Sequence, residues 1–494
     1  MTNTIDKLKQ LSAEIYDLRC TMQLLAWDQE VYMPTGAAPD RAYQLSTLST
    51  IIHQKETSKQ LGELLTRLEE NNESLSVEDR ALVRVMKRSY DQSTKLPEAF
   101  VTEFTQLTSQ SVHAWVEARK KSDFSLFAPY LEKIVAMTKQ QAKYLEYVKH
   151  PYDALLDLYE EGLTTDDVTK MFDELKRPLV EILAESKDRW NKDFAFDVPF
   201  DERDQMAFSE LVLKKIGYDF NRGREDKAPH PFTEAMGHND RRVTNRYKPY
   251  DIDFISSALH EGGHGLYEQG IAEKLTRSSL DTGVSLGIHE SQSKFWECMV
   301  GSRYEFWEDF YPELQKAFPA QLKNVSIDDF YLRMHKVAPS FIRVEADEVT
   351  YNLHILIRFE IEKALMEDAV TVSELPELWN AKYKEYLGID VVNDAQGVLQ
   401  DIHWSHGSIG YFPTYTMGNL GAAQIWNAYT KYDPKWKVTL RMGNTAKVLA
   451  WLTENMYQYG SIYQPRELMK KVSGEELNAK YWVEYIREKY LVQS

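Results

Sequence analysis

Cysteine is scarce in this chain, whose 494 residues include only Cys20 and Cys298. Two thiols cannot build a disulfide framework or a cysteine-based metal site, and they favour a reducing compartment. Long apolar runs are missing as well, because none reaches the roughly 18 residues that a membrane helix needs. The N-terminus lacks the basic segment and apolar core of a signal peptide. We therefore expect a cytoplasmic protein without a membrane span.

Basic residues are outnumbered, since 59 Lys and Arg stand against 76 Asp and Glu and the formal net charge is −17. This balance excludes a general nucleic-acid binder, because phosphate neutralisation needs a basic surface, and it disfavours an anionic membrane. The 43% hydrophobic and 12% aromatic content suffices for a sizeable core. Any anionic substrate must be bound by a few locally placed Arg or Lys side chains.

Gly/Ser-rich linkers, internal repeats and low-complexity segments are absent from the sequence, which favours one continuous body over separable domains. Apolar residues within 8–25 recur at spacings of three and four, which predicts an amphipathic helix that ends before a turn at 33–36. Ser76, Asp166 and Ser326 mark further helix starts. We expect most of the chain to be helical.

Strand-like alternation is confined to one short region. Residues 242–247 alternate between the two faces of a strand, and residues 252–254 follow after a turn at Pro249. This pattern predicts a small β-hairpin.

Histidine is concentrated in one part of the chain, with nine of the twelve between His230 and His406. Residues 260–264 read His-Glu-Gly-Gly-His. On a helix, His260 and His264 share one face and can bind one metal ion, while Glu261 beside them can accept a proton from an activated water. The alternative is a helix with two surface histidines. The two glycines destabilise such a helix by about 1 kcal/mol each relative to Ala, which close approach of another backbone or a substrate would explain.

A zinc site needs a third protein ligand and an open fourth position. One class of enzyme uses a third His, but here Tyr267 and Gly270 stand where that pattern requires Gly and His, so this class is excluded. Another class uses a Glu from a later helix, and Glu290 opens a new helical stretch. Glu268 and Glu273 are rival ligands, the first one turn further along the same helix and the second beyond the expected helix end.

An ordered set of further motifs extends over residues 27–415. They are Trp27-Asp28 with Met33-Pro34, His230-Pro231-Phe232, Asp240-Arg241-Arg242-Val243-Thr244, the metal motif at 260–264, His289-Glu290-Ser291-Gln292, Ile342-Arg343-Val344-Glu345-Ala346-Asp347, Gly397-Val398-Leu399-Gln400-Asp401-Ile402-His403-Trp404 and Tyr411-Phe412-Pro413-Thr414-Tyr415. Together they resemble the carboxypeptidase Taq family of zinc metallocarboxypeptidases.

The resemblance implies a mainly α fold, similar to neurolysin-like peptidases. We expect one peptidase domain over residues 1–494, a large helical body with a deep substrate groove and a small hairpin or sheet near the active site. The helices of about residues 1–150 would form one wall of the groove. The resemblance also implies release of single C-terminal amino acids from peptides, one divalent ion (zinc, or cobalt), a homodimer, and Glu290 as the third ligand.

Donors to the oxyanion of the attacked carbonyl are expected at His403, Tyr411 and Tyr415. His403 lies in a polar motif, whereas 29 tyrosines in the chain make packing the alternative role for the other two. His406 is expected to be incidental. His230 is expected to shape the substrate groove and not to bind metal.

Binding of the substrate carboxylate calls for an arginine, whose planar fork matches two oxygens. Arg343 is the first candidate and Arg242 the second. Each could instead form a structural ion pair, Arg343 with Asp347 and Arg242 with Asp240. Asp240 and Asp401 could otherwise orient the zinc histidines.

Two other functions fit the same motifs. An endo-oligopeptidase or dipeptidyl carboxypeptidase would differ in its products. A catalytically silent peptide-binding protein would differ in activity, and the intact Glu261 and ligand set argue against it.

Overall fold

The computed structural model describes residues 2–190 and 196–492, most of which are helical. The described chain divides into two compact units. Unit 1 contains residues 2–94, 196–331 and 421–476, and unit 2 contains residues 95–190, 332–420 and 477–492. The prediction of a mainly α fold with a small sheet is confirmed, whereas the single domain, the groove and its N-terminal wall stay predictions.

The α-helices are α1 (Thr2–Val31), α2 (Ala38–Glu56), α3 (Lys59–Glu69), α4 (Val77–Lys95), α5 (Glu98–Lys121), α6 (Ala128–Leu145), α7 (Pro151–Tyr159), α8 (Thr165–Trp190), α9 (Glu202–Ile216), α10 (Asp253–Gln269), α11 (Leu286–Lys294), α12 (Tyr304–Ala317), α13 (Pro319–Leu322), α14 (Ile327–Met334), α15 (Tyr351–Met366), α16 (Leu375–Leu387), α17 (Pro413–Tyr432), α18 (Trp436–Arg441), α19 (Thr445–Asn455), α20 (Pro465–Ser473) and α21 (Lys480–Arg487). Short π-helices occupy Phe295–Val300 and Glu488–Val492. The 3₁₀-helices are Thr35–Ala37, Asn72–Ser74, Phe124–Leu126, Glu273–Leu275, Arg343–Glu345, Val372–Glu374, His403–His406 and Tyr457–Tyr459.

The first helix of unit 1 follows the predicted apolar spacing. α1 ends at Val31, just before the predicted turn. Its Leu8 and Ile15 are buried against apolar residues of α3 and α4, and Ile271 and Leu280 complete this core. The helix starts predicted at Ser76 and Ser326 are confirmed, because each hydroxyl accepts a hydrogen bond from the backbone NH three residues later.

The strands of unit 1 form one three-stranded sheet: β1 (Glu225–Lys227), β2 (Thr233–Gly237) and β3 (Asp240–Asn245), in the order β1-β3-β2. β3 is parallel to β1 and antiparallel to β2, with Thr233 opposite Val243. The first strand of the predicted hairpin is confirmed, because residues 242–245 belong to β3. The second strand, predicted at residues 252–254, is wrong. β2 precedes β3, whereas residues 253–254 begin α10, because the helical spacing of Ile255 and Leu259 continues from there.

The core of unit 2 is centred on α15, of which Leu353 to Phe359 are all buried. The Phe359 ring contacts the rings of Tyr152 and Phe172 from α7 and α8. A helix that is covered on all sides needs no polar face, which explains why this segment is apolar apart from its buried His354 and Arg358.

Within the described residues, no helix is both long and apolar enough to cross a membrane. Cys20 and Cys298 are both free thiols.

Candidate active site

Two packed helices of unit 1, α10 and α11, bring the predicted metal ligands together. The ligand atoms of His260, His264 and Glu290 all lie within 4.8 Å of one another. The Nε2 atom of His260 lies 3.8 Å from Glu290 Oε2, and that of His264 lies 3.6 Å from the same oxygen. Among the residues that the structure describes, this is the one group of His, Cys, Asp or Glu that could hold a metal ion.

The donor set fits a divalent ion. Zinc bonds of about 2.0–2.2 Å place tetrahedral ligand atoms about 3.3–3.6 Å apart, which is close to the two distances from Glu290. The three side chains are 14–23% exposed, so a fourth position can be reached by a small molecule. Two imidazoles and one carboxylate suit zinc, cobalt and several other divalent ions.

The two glycines of the metal motif allow α10 to pack closely. A Cβ on Gly263 would lie 2.5 Å from the backbone oxygen of Gln292 in α11. A Cβ on Gly262 would lie 2.7 Å from side-chain carbons of Leu213 and Ile216 in α9. Close approach of another backbone, one of the two expected reasons for these glycines, therefore holds at Gly263. It sets the separation of the two ligand-bearing helices.

The second nitrogen of His260 is held by Glu297, a residue that the sequence analysis missed. Nδ1 of His260 lies 2.8 Å from Glu297 Oε2, and Lys294 Nζ lies 2.8 Å from the same oxygen. The expectation that Asp240 or Asp401 would orient the zinc histidines is wrong, because these carboxylates pair with arginines instead. A signal existed: Glu297 follows Glu290 by seven residues, which is two helical turns on the same face.

Burial and neighbouring charges both shift the pKa values of these ligands. Burial lowers the pKa of His264 to about 4. Burial acts in the same direction on His260, but Glu290 and Glu297 outweigh it and raise the pKa of His260 to about 9. Burial opposes ionisation of Glu290, yet the neighbouring His260 holds its pKa at about 2. Glu290 is therefore anionic at neutral pH, and a divalent ion bound beside it would displace the proton that Glu290 and Glu297 favour on His260.

Glu261 is oriented by the edge strand β2. The hydroxyl of Thr233 lies 2.7 Å from Glu261 Oε2 and 3.0 Å from its backbone oxygen. Glu261 is 7% exposed, and burial raises its pKa. A carboxyl with a raised pKa is a better proton acceptor than an ordinary glutamate.

Both rival ligands are placed elsewhere. Glu268 is buried and paired with Arg241 at 3.1 Å and His289 at 3.0 Å. Glu273 begins a 3₁₀-helix beyond the end of α10, as expected. Neither belongs to the group that could hold a metal ion.

Arg343 lies in unit 2 and forms an ion pair, although not with Asp347. Its Nε donates to Asp401 Oδ1 at 3.0 Å and its Nη1 donates to the Tyr351 hydroxyl at 3.0 Å. Asp347 instead accepts from backbone NH groups, among them those of Val349 and Thr350. The alternative role considered for Arg343, an ion pair with Asp347, is therefore wrong, because the carboxylate caps the turn that leads into α15.

Asp401 is shared between two guanidinium groups. Arg358, which is fully buried, donates to Asp401 Oδ2 at 2.7 Å. Arg343 and Arg358 thus both pair with the single carboxylate of Asp401. The neighbouring His403 is neutral at pH 7, because burial lowers its pKa to about 4. The cluster carries an excess positive charge that an anion can neutralise.

Arg242 forms the ion pair with Asp240 that was considered as its alternative role. Its Nε and Nη2 each donate at 2.8 Å to the two oxygens of that carboxylate. Its guanidinium carbon also lies 4.3 Å from the centre of the Trp27 ring. His230 is exposed in the loop between β1 and β2.

The three predicted oxyanion donors lie together in unit 2. The His403 Nε2 atom is 3.3 Å from the Tyr415 hydroxyl, and the rings of Tyr411 and Tyr415 are 5.2 Å apart. The Tyr411 ring also packs against Tyr159. His406 is exposed at the end of its 3₁₀-helix.

Comparison with known proteins finds carboxypeptidases that match nearly the whole chain. Residues 7–490 match the family described as carboxypeptidase Taq (M32) metallopeptidase. Carboxypeptidase 1 of Bacillus subtilis is 42% identical over 470 residues, 94% of each chain. Thermostable carboxypeptidase 1 of Pyrococcus furiosus is 40% identical over 494 residues, covering 98% of this chain and 99% of its own. The solved M32 carboxypeptidase of Deinococcus radiodurans superposes with a TM-score of 0.96, at 36% identity and 99% coverage of both chains.

Proposed function

Because the chain belongs to the carboxypeptidase Taq (M32) metallopeptidase family and is a metallocarboxypeptidase, we propose that it releases single C-terminal amino acids from peptides. We propose zinc as its ion, with cobalt as a substitute, bound by His260, His264 and Glu290. The observation that carries this proposal is the convergence of these three side chains, with Glu261 between the two histidines in sequence. A divalent ion there would lower the pKa of a water molecule and polarise the scissile carbonyl.

Glu261 acts as the general base. Its carboxylate accepts a proton from the attacking water and returns it to the leaving amine. The hydrogen bond from Thr233 supports this role, because it restricts the carboxylate to one orientation without occupying both oxygens.

Arg343 binds the C-terminal carboxylate of the substrate. The excess positive charge of Arg343 and Arg358 over Asp401 supports this role, since a carboxylate would neutralise it. The hydrogen bonds of Arg343 to Asp401 and Tyr351 use its Nε and Nη1 atoms, and its Nη2 atom is proposed to donate to the substrate. Arg242 is the second candidate, and it is less suited because Asp240 already occupies its fork.

His403, Tyr411 and Tyr415 are proposed as donors to the oxyanion. His403 is favoured because a neutral imidazole always has one NH to donate, and its low pKa keeps it neutral through the physiological range. His230 is proposed to shape the substrate groove.

A homodimer in the cytoplasm is the proposed state of the enzyme. The free thiols Cys20 and Cys298 are consistent with a reducing compartment, and the dimer is proposed from the family resemblance. Light scattering of the purified protein would measure a mass of two chains or contradict the dimer.

Mass analysis of a peptide digest, with and without a chelator, tests the proposed activity. We expect a ladder of peptides shortened by one residue at a time from the C-terminus, and no products with chelator. Release of dipeptides or internal fragments would favour a dipeptidyl carboxypeptidase or an endo-oligopeptidase. Bound metal with no cleavage of any peptide would favour the silent peptide-binding protein.

A further inference from the structure

A line of polar contacts leads from the ligand His264 into the protein. Nδ1 of His264 lies 2.6 Å from Nδ1 of His289, the residue before the ligand Glu290. Nε2 of His289 lies 3.0 Å from Glu268 Oε1, and Glu268 Oε2 lies 3.1 Å from Arg241 Nη1. The second nitrogen of this ligand therefore meets an imidazole, whereas that of His260 meets a carboxylate.

The metal-binding state leaves one arrangement of protons along this line. Nε2 of His264 needs a free lone pair to bind a metal, so its Nδ1 carries the proton and donates it. Nδ1 of His289 must then accept, which places the proton of His289 on Nε2. That NH points at the Glu268 carboxylate, an acceptor when ionised. In the opposite tautomer of His289, a lone pair would face the carboxylate and a proton would face the proton of His264.

The Glu268 end of the line is firmly held. Its Oε1 accepts hydrogen bonds from the Gly283 NH at 2.9 Å and the Thr282 hydroxyl at 3.2 Å. Arg241, only 1% exposed, pairs with Glu268 and also with Asp281 at 3.0 Å. A carboxylate with this many donors keeps its position and its charge.

The ring of His289 is also confined by packing. It lies 5.2 Å from the Tyr267 ring, centre to centre. On Gly283, a Cβ would lie 2.6 Å from His289 Cδ2 and 2.7 Å from Tyr267 Cε1, so glycine is needed there to leave room for the imidazole and for the tyrosine ring that packs on it. Both hydrogen bonds and contacts thus fix the orientation of the ring.

We propose that His289 is a positioning residue that holds His264 in the tautomer and rotamer that bind the metal, with Glu268 and Arg241 fixing His289 in turn. This inference rests on the proposed metal centre. It explains why Glu268 is unavailable as a ligand: its carboxylate orients the imidazole that orients the ligand. Partners that orient a ligand in this way typically contribute about 10–100-fold to metal affinity.

Metal binding to His289→Leu and His289→Gln tests this role. Leucine removes both hydrogen bonds, and we expect the zinc affinity of the apo-protein to fall about 10–100-fold. Glutamine offers an oxygen toward His264 and an NH₂ group toward Glu268, so it should restore most of the affinity. Competition with a chromophoric chelator measures the affinity for Zn²⁺, and the absorption spectrum of the Co²⁺ form reports the ligand geometry.

Two further variants complete the design. Gly283→Ala should push the His289 ring aside and weaken zinc binding without altering any polar group of the line. His354→Gln is the matched control, because His354 is a buried histidine of unit 2 whose Nδ1 lies 2.9 Å from the Tyr383 hydroxyl. We expect its zinc affinity within about threefold of wild type, well below the effect of losing an orienting partner.

The outcomes separate this inference from the metal centre itself. If His264→Ala binds zinc as tightly as wild type, the proposed metal centre is wrong. If zinc binding depends on His264 but His289→Leu retains wild-type affinity and an unchanged Co²⁺ spectrum, the positioning role alone is wrong. If His289→Leu does not fold, as judged by circular dichroism, Gly283→Ala decides, and unchanged zinc affinity in that variant overturns the inference.

Discussion

Replacing Arg343 with Ala is expected to distinguish recognition of a free C-terminus from the chemistry of peptide hydrolysis. The fold should tolerate the change, because Asp401 keeps its ion pair with Arg358 and is not left as an unpaired buried charge. The hydroxyl of Tyr351 loses one donor, a small cost beside the loss of a charged contact with the substrate.

The magnitude follows from the surroundings of the guanidinium. Arg343 is 5% exposed, so an ion pair with a substrate carboxylate is poorly screened by water. Truncating one partner of such a pair costs about 2–5 kcal/mol, equivalent to a decrease in kcat/KM of about 30- to 4,000-fold at about 1.4 kcal/mol per factor of ten. Arg343→Lys should recover part of it, since an ammonium keeps the charge but lacks the fork.

The assay compares matched peptides with a free and an amidated C-terminus. Free-acid peptides should lose most of their kcat/KM in Arg343→Ala, whereas residual cleavage of amidated peptides and the zinc content should barely change. Arg177→Ala is the control, because it removes an exposed arginine of the same unit with an ion pair of its own. Equal losses for both peptides would refute the reasoning, and Arg242 would then be the leading candidate.

Three further predictions concern Glu290, Glu261 and Glu362. Glu290→Ala should lose the metal and keep its helical circular dichroism, and full zinc retention by metal analysis would return Glu268 to consideration as the ligand. Glu261→Gln should keep the metal, because Glu261 is not one of the proposed ligands, and Thr233 can still donate to the amide oxygen. The variant should retain less than about a tenth of wild-type turnover; higher turnover would exclude Glu261 as the base. Burial raises the pKa of Glu362 to about 7 from an ordinary value of 4.5. Protonated Glu362 therefore stabilises the folded state fully below pH 4.5, and this contribution is lost as the pH rises through 7. Each unit by which its pKa in the folded state exceeds that in the unfolded state corresponds to about 1.4 kcal/mol in the free energy of unfolding. Glu362→Gln should show a smaller fall in the urea midpoint between pH 5 and pH 8, and an identical fall in both proteins would contradict this pKa.

The strands show where local patterns stop being informative. The alternation in residues 242–247 correctly indicated β3. Its partner was predicted downstream at 252–254, yet the partner is β2 at Thr233–Gly237, upstream. A short strand takes its hydrogen-bonding partner from the surrounding fold, and alternation along one segment carries no information about which neighbour that will be.

The sequence by itself determined the helical character, the metal motif and the third-ligand candidate. The metal motif depends on spacing along one helix, because the 3.6-residue period places His260 and His264 on one face whatever the rest of the chain does. Glu290 lies on a later helix, and the family resemblance was what favoured it over Glu268 and Glu273. The ion-pair and hydrogen-bond partners of residues far apart in sequence were decided only by the tertiary structure. Arg343 pairs with Asp401 and not with the nearer Asp347, and His264 is held by His289. The reason is physical: a buried charge or imidazole takes whichever partner packing brings within about 3 Å, and that distance is set by the approach of whole helices, which the period of a single helix does not encode.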